Sequence, residues 1–240
     1  PENITTIDLT AFVSYNGENV AASKITNLTY NSLINADAEG METGDNKLAK
    51  IFPNLVSVSI GENVEKVPSY LFFGTYDEGP YVANINTVTF NGNAVDVIGT
   101  FAFFESEMCS LINLNAVTIE TSAFAYNSRI VTVTFNDRVE TIGQTAFYEC
   151  GQLTVVNIGD SVKTIGNMAF SKYENLQTVT FEQNENAGSG ASVQSVTGLT
   201  SIEHLAFNGC TSLREIEIPE SVSSVGDGIF YGCTGLTSIV

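Results

Sequence analysis

The chain has 240 residues, of which 43% are hydrophobic, 20 are glycine and only 5 are proline. Its 27 Asp and Glu residues outnumber its 9 Lys and Arg residues, so the formal net charge is -18. This acidity argues against a nucleic-acid partner, because phosphate backbones are bound by clustered Lys and Arg. No apolar run approaches the ~18 residues that a membrane-spanning helix requires, so membrane insertion is not expected.

Residues 1–54 contain two degenerate copies of an apolar pattern that becomes clearer later in the chain. We interpret this part as divergent N-terminal repeats or a cap. The acidic segment from Asp37 to Asp45 offers oxygen ligands that Ca²⁺ prefers, but its spacing does not fit the twelve-residue calcium loop. A solvated loop is the favoured interpretation of that segment. The two degenerate copies are Ile4-x-x-Ile7-x-Leu9 and Ile25-x-x-Leu28-x-Tyr30.

A regular repeat occupies residues 55–240, and we interpret this part as one solenoid rather than two globular domains. The long step from Leu176 to Leu213 includes a Gly- and Ser-rich tract at residues 184–195, which we interpret as a loop insertion. The last unit is truncated after its first strand, so we expect the natural solenoid to continue past Val240. The units begin at Leu55, Ile85, Leu111, Ile130, Leu153, Leu176, Leu213 and Leu236.

Each unit has two halves with different patterns. The first half, as in residues 153–158, alternates inward apolar and outward positions, which predicts a half-buried β-strand. The second half, Val162-x-x-Ile165-Gly166 and then Ala169-Phe170, predicts a short extended piece and one helical turn whose Phe enters the core. The predicted fold class is therefore α/β: a solenoid with one parallel strand per repeat, and short extended or helical turns on the other side.

The outward face of the predicted sheet is small, polar and nearly uncharged until its C-terminal end. It lacks the aromatic anchors of most protein-binding hot spots, and its Thr and Ser residues also suit a merely stable sheet. The outward residues are Thr6 and Asp8, Asn27 and Thr29, Ser57 and Ser59, Thr87 and Thr89, Asn113 and Asn115, Thr132 and Thr134, Val155 and Asn157, Thr178 and Thr180, and Glu215 and Glu217.

The run Val-x-x-Ile-Gly-x-x-Ala-Phe-x-x-Cys-x-x-Leu resembles the BspA-like leucine-rich repeats of surface proteins from bacteria and some protists. The resemblance covers most of residues 55–240 and is weak over residues 1–52. It implies a curved, right-handed solenoid, export to the cell surface, and a role in adhesion or ligand binding, with no shared catalytic residues. The Phe of the run recurs at positions 72, 103, 124, 147, 170, 207 and 230.

The cysteines and the single histidine offer little chemistry. Cys150, Cys210 and Cys233 share one position of the repeat, so we interpret them as buried free thiols, with a disulfide between Cys210 and Cys233 left open. Cys109 is shifted by one residue and stands alone. His204 is interpreted as a surface residue, and the absence of a Cys-x-x-Cys or a second His means that no metal or cofactor is predicted.

We do not expect the chain to be an enzyme, because no nucleophile motif, metal-ligand spacing or phosphate-binding loop appears. A remote alternative is a glycan-active enzyme that uses paired carboxylates. Acids are available at Glu215, Glu217 and Glu220. The first two are alternate outward positions of one strand, which favours a solvated face.

Two insertions, at residues 74–84 and 104–110, precede strands of consecutive units and should emerge from the same edge. They bring aromatic residues and Met together with acids, a composition typical of recognition loops. The alternative is that these aromatics only cover the side of the solenoid. The candidate binding residues are Tyr76, Asp77, Glu78, Tyr81, Phe104, Glu105, Glu107 and Met108.

These observations predict a non-enzymatic interaction or adhesion module of a bacterial surface or secreted protein. The module would bind an unidentified protein or glycan through its edge loops or its polar sheet face, and the alternative is a structural spacer in a larger surface protein. Abundant Asn, Thr and Ser suit an exported protein, whose signal peptide would lie outside this sequence. An uncovered last strand predicts end-to-end self-association.

Overall fold

The computed structural model describes residues 6–8, 27–30, 56–60, 64–73, 85–90, 95–106, 108, 111–182 and 198–240. Within these residues the chain forms β-strands and turns, without a helix. The strands of the first half of each unit are β1 Thr6–Asp8, β2 Asn27–Tyr30, β3 Ser57–Ile60, β5 Thr87–Phe90, β7 Leu111–Leu114, β9 Thr132–Phe135, β11 Val155–Ile158, β13 Thr178–Phe181, β15 Glu215–Ile216 and β17 Ser238–Ile239. The strands of the return half are β4 Lys66–Val67, β6 Val97–Ile98, β8 Thr118–Ile119, β10 Thr141–Ile142, β12 Thr164–Ile165, β14 Ser201–Ile202 and β16 Ser224–Val225.

Every described strand pair is parallel and joins equivalent positions of neighbouring units, which we call rungs. The first-half strands form sheets in the orders β1-β2-β3-β5, β7-β9-β11-β13 and β15-β17. All seven return-half strands form one sheet, from β4 to β16. In β11, Val155 lies opposite both Thr132 and Thr178, and Val156 lies opposite both Val133 and Val179. One parallel strand per repeat is therefore confirmed in the described rungs, although these strands form three separate sheets, and the return half adds a further parallel sheet.

The core lies between the first-half strands and the return-half sheet, and it is built by the repeat. In β9 and β11 the inward residues are buried and the outward ones are partly exposed, as the alternation predicts. The core Phe residues of successive rungs stack in a column with ring centroids 5.0 to 6.0 Å apart, from Phe72 to Phe230. Phe135 of β9 meets this column edge-on at Phe147, at 5.5 Å. Because each ring packs on its neighbours, no single rung buries its apolar face alone.

The predicted helical turn is not present in the described rungs. A helix would bond each N–H within its own unit, but here alternate N–H groups reach the next rung, as in Thr145 N to Asn167 O (2.8 Å) and Phe147 N to Ala169 O (3.0 Å). The intervening N–H groups close tight turns, and the backbone enters the left-handed region twice per rung. These positions lie two residues before and two residues after the core Phe, as at Thr145 (φ 52°) and Glu149 (φ 55°). The described residues are thus all-β, while the right-handed superhelix stays a prediction.

One rung departs from the predicted register. Leu111 of β7 lies opposite Val133 and Leu114 lies opposite Phe135, with an irregularity between them. The connection from β7 to β8 is shorter than in other rungs, so the chain turns inward earlier and Asn115 is buried. The prediction that Asn115 points outward is therefore wrong.

Candidate functional site

The structure describes three of the eight candidate binding residues. Phe104 and Glu105 are partly exposed, in agreement with an accessible position. Met108 is fully buried in the core, where its N–H donates to Asn127 Oδ1 at 3.1 Å, so its assignment to a binding surface is wrong. The physical reason is that an apolar side chain next to the solenoid is driven inward rather than into a loop tip. The other five, Tyr76, Asp77, Glu78, Tyr81 and Glu107, lie outside the described residues, as do Cys109 and the acidic segment at residues 37–45.

Phe104 belongs to a larger surface cluster, which we call the aromatic band. Phe73 stacks on Phe104 (ring centroids 4.9 Å apart), Phe104 contacts Tyr126 (5.1 Å), and Tyr126 contacts Tyr148 (5.5 Å). Tyr70 stacks on Phe101 (5.2 Å), and Phe101 meets Phe104 edge-on (5.3 Å). All six rings are partly or well exposed, and they cover four consecutive rungs. The members are Tyr70, Phe73, Phe101, Phe104, Tyr126 and Tyr148.

The repeat itself aligns these rings. Tyr70 and Phe101 occupy the left-handed position two residues before the core Phe, and Tyr126 occupies the one two residues after it. Phe73, Phe104 and Tyr148 directly follow the core Phe. Since rungs stack in register, equivalent positions fall about 5 Å apart and adjacent aromatics meet. Sequence reasoning missed five of the six, although a signal was present: aromatics beside the core Phe recur in consecutive units.

Charged side chains border the aromatic band. Two residues after the core Phe, successive rungs carry Glu105, Tyr126, Glu149 and Lys172. Burial and the nearby Glu149 carboxylate raise the pKa of Tyr126, and Glu105 acts in the same direction. Lys172 Nζ lies 2.8 Å from Glu149 Oε1 and 5.2 Å from the centroid of the Tyr148 ring. The hydrogen bond with Glu149 raises the pKa of Lys172, which therefore stays protonated over the neutral range.

Ring orientation decides which chemistry the aromatic band can offer. Phe73 and Phe104 are stacked with planes 12° apart, and Tyr70 and Phe101 with planes 26° apart, so these rings cover one another's faces. Lys172 lies over the face of Tyr148. The faces of these rings are therefore largely occupied by neighbouring side chains.

Side chains on the polar sheet face form hydrogen bonds with one another. Asn157 of β11 donates from Nδ2 to Thr134 Oγ1 (3.2 Å), and its Oδ1 accepts a hydrogen bond from Thr180 Oγ1 (2.8 Å). These side chains therefore form a ladder across three rungs, which reduces their capacity to recognise a ligand. At the C-terminal end Glu215 and Glu217 are exposed, as a solvated face requires. Among the described residues no group of three His, Cys, Asp or Glu side chains is arranged to hold a metal ion.

The structure supports the interpretation of Cys150, Cys210 and His204, whereas Cys233 is less buried than predicted. Cys150 and Cys210 are fully buried free thiols, as predicted, and Cys233 is free but half-buried. Burial raises the pKa of Cys150 to about 12, so that thiol stays protonated and acts as a packing residue. His204 lies exposed at the surface.

A sequence profile described as the BspA type leucine rich repeat region matches residues 96–191 and 185–240, in six copies, which is more than half of the chain. The chain belongs to this family. Among curated proteins, no match is found. The described part of this BspA-type chain contains no helix of the length and apolarity needed to cross a membrane.

Several solved structures of bacterial leucine-rich repeat proteins are similar to this chain. A leucine-rich repeat protein from Bacteroides ovatus is 22% identical, with 78% of this chain and 55% of that chain covered and a TM-score of 0.43. A leucine rich cell surface protein from Faecalibacterium prausnitzii is 20% identical (90% and 73% covered, TM-score 0.36). The pneumococcal vaccine antigen PcpA is 16% identical (77% and 62% covered, TM-score 0.31). The chain thus spans less than two thirds of the first and third of these proteins.

Proposed function

We propose that this BspA-type chain is a non-enzymatic interaction module of a bacterial surface or secreted protein, and that its aromatic band binds a protein partner. The observation that carries the proposal is the run of six accessible aromatic side chains on consecutive rungs. Tyr and Phe are enriched where proteins bind proteins, because they contribute large apolar area at small conformational cost. Membership in the family and the Asn-, Thr- and Ser-rich composition support the surface or secreted location.

Ring geometry favours a protein over a glycan as the partner. A sugar ring packs flat on an open aromatic face, and the faces in the aromatic band are largely used by neighbouring rings and by Lys172. Apolar side chains and backbone carbonyls of a peptide contact ring edges and tyrosine hydroxyls well. The band therefore suits aliphatic and aromatic side chains of a protein better than a pyranose.

Charge further defines the partner. The net charge of -18 and the bordering Glu105 create a negative potential around the aromatic band, while the charge of Glu149 is offset by Lys172. Complementary charge speeds association and disfavours acidic partners. We therefore expect a partner segment in which Lys or Arg alternates with apolar residues, and binding that weakens as salt is added.

The experiment screens the 240-residue chain on a protein array and a glycan array, and then compares two variants on the hits. Tyr126→Ala/Tyr148→Ala removes two rings of the aromatic band, which should weaken binding by about 2 kcal/mol or more, roughly 30-fold in Kd. The matched control is Tyr231→Ala. Tyr231 follows the core Phe as Tyr148 does and is 73% exposed, but the equivalent positions of the two preceding rungs are Ser171 and Asn208.

Protein hits that are lost in the double variant and kept in Tyr231→Ala support the proposal, provided that both variants melt like the parent chain. Hits restricted to glycans, or protein binding that ignores the double substitution, would contradict it. A chain without hits on either array would favour the structural spacer instead.

A further inference from the structure

One column of the solenoid carries the three described cysteines. On successive rungs its residues are Asn127, Cys150, Tyr173, Cys210 and Cys233. Each thiol donates to the carbonyl of the core Phe one rung back: Cys150 to Phe124 O (3.3 Å), Cys210 to Phe170 O (3.4 Å) and Cys233 to Phe207 O (3.1 Å). Asn127 does the same from Nδ2 to Phe103 O (2.7 Å). The shared role of the column is to satisfy a buried carbonyl.

Cys210 and Cys233 differ from Cys150 because they occupy neighbouring rungs, whereas Tyr173 separates Cys150 from Cys210. The backbones just before the two cysteines are in direct contact, since Gly209 N donates to Tyr231 O at 2.7 Å. A Cβ added to Gly232 would lie 3.5 Å from Gly209 Cα. Equivalent Cα atoms of adjacent parallel strands are about 4.8 Å apart, within the roughly 4.4–6.8 Å range that disulfides span.

The two thiols also differ in access. Cys210 is fully buried, and Cys233 is half-buried. While Cys233 is protonated, it donates to Phe207 O. When it ionises, its sulfur accepts a hydrogen bond from the Cys210 thiol, which lowers the pKa of Cys233 to about 7, while this pairing and burial raise that of Cys210. The accessible sulfur is thus the nucleophile, and a second thiol lies behind it.

We propose that Cys233 and Cys210 form a dithiol site that low-molecular-weight disulfides oxidise to a bond between neighbouring rungs. The Cys233 thiolate attacks one sulfur of the external disulfide, forms a mixed disulfide and releases one thiolate. Cys210 then gives its proton to solvent and attacks Cys233 Sγ, which releases the second thiolate. The two protein thiols lose two electrons, and the external disulfide is reduced to two thiols.

The test uses the reduced 240-residue chain and glutathione disulfide as the probe, followed by alkylation and tryptic peptide mapping. Cleavage after Arg214 places Cys210 and Cys233 on separate peptides, and Arg129, Arg138, Lys163 and Lys172 isolate the peptides of Cys109 and Cys150. The expected product is a disulfide-linked pair of the Cys210 and Cys233 peptides, with Cys150 still reduced. Without oxidant at neutral pH, iodoacetamide should alkylate Cys233 about tenfold faster than Cys150, or more.

Two variants make the outcome decisive. Cys210→Ser should leave Cys233 as a stable mixed disulfide with glutathione, because the resolving thiol is gone. Cys150→Ser is the matched control from the same column and should still form the linked pair. A mixed disulfide on Cys233 that persists in the parent chain, or a linked pair that involves another cysteine instead, would overturn the proposal. The parent chain answers the question by itself if a variant does not fold.

Discussion

Replacing Gly166 by alanine tests how closely the rungs approach at the second sheet. Gly166 follows buried Ile165, and its N–H donates to Ile142 O at 2.7 Å. An added Cβ would lie 2.6 Å from the carbonyl carbon of Gly143, 2.7 Å from Gln144 N and 2.8 Å from Ile142 O. Carbon atoms in ordinary contact are about 3.5–4.0 Å apart, so the two rungs must separate locally by roughly 0.9 Å.

The expected loss of stability depends on which atoms must move to make room for the added methyl group. Overpacking costs about 1–3 kcal/mol, and here the added methyl group meets hydrogen-bonded backbone rather than a flexible side chain. We therefore expect the free energy of unfolding to fall by about 2–3 kcal/mol, which for a chain of this size lowers Tm by roughly 4–12 °C.

The neighbouring rungs show why glycine is needed at Gly166. Gly166 occupies the position four residues before the core Phe. Of any two adjacent described rungs, at least one carries glycine at this position, and Gly166→Ala would leave the pair Ala and Glu203 without one. Glu203 itself is accommodated with a hydrogen bond from Asn167 N to its Oε2 (3.0 Å), which alanine cannot replace. The residues at this position are Pro68, Gly99, Glu120, Gly143, Gly166, Glu203 and Gly226.

Thermal melts followed by circular dichroism measure the effect, with Gly151→Ala as the matched control. Gly151 is exposed, and an added Cβ there would have no atom within 4 Å. The control should melt within about 2 °C of the parent chain, since surface changes of this kind are nearly neutral. Gly143→Ala should be destabilised like Gly166→Ala, because its Cβ would lie 2.6 Å from Ile119 O. If Gly166→Ala melts with the control, the reasoning on rung spacing is wrong.

Four further predictions concern the backbone, pH, salt and self-association. Gly209→Ala should lower the free energy of unfolding by about 1 kcal/mol, because φ at Gly209 is 74°, a left-handed conformation that alanine disfavours. The cost is conformational rather than steric, since the nearest atom to the added Cβ is 3.5 Å away. A melt equal to that of Gly151→Ala would contradict this. Burial raises the pKa of Cys150 from 9.0 to about 12, and it raises the pKa of Tyr173 well above 10.0. Above about pH 9 these groups ionise in the unfolded chain but stay protonated in the folded one, so the free energy of unfolding should decline. In urea titrations Tyr173→Phe should flatten this decline above pH 10 by up to about 1.4 kcal/mol per pH unit, and an unchanged slope would speak against it. Sodium chloride should raise Tm by screening the repulsion that a net charge of -18 creates; melts that fall or do not move would count against that repulsion. Light scattering at rising concentration should detect association through the last rungs, where Tyr231, Ile239 and Val240 are 73%, 57% and 76% exposed, and Ile239→Lys should suppress it; a constant mass would exclude this contact.

The repeat could be read from the sequence because each unit buries the same positions. Alternation at Val156 and Ile158 predicted the strand faces, and the recurring Phe147 and Phe170 predicted the core column. The position shared by Cys150 and Cys210 predicted buried thiols, since a slot that recurs in a solenoid is a packing slot. In each case the information is local, because period and polarity decide burial wherever the neighbouring unit has the same pattern.

Features that depend on contacts between rungs were decided only by the tertiary structure. The turn around Thr145 and Phe147 is not helical because its N–H groups bond to Asn167 and Ala169 on the next rung. The aromatic band forms only when residues from different units meet, so Tyr70 and Tyr126 did not stand out along the chain. Asn115 is buried by a shorter connection rather than by its own pattern.

The cysteines also show which properties the sequence determines and which the tertiary structure decides. The sequence by itself determined that Cys150 and Cys233 occupy equivalent positions, because the repeat assigns them one slot. Only the stacked rungs decided that they differ: burial raises the pKa of Cys150 to about 12, whereas the hydrogen bond from Cys210 lowers the pKa of half-buried Cys233 to about 7. Burial and hydrogen bonding set the ionisation of a thiol, and both depend on which residue the neighbouring rung supplies.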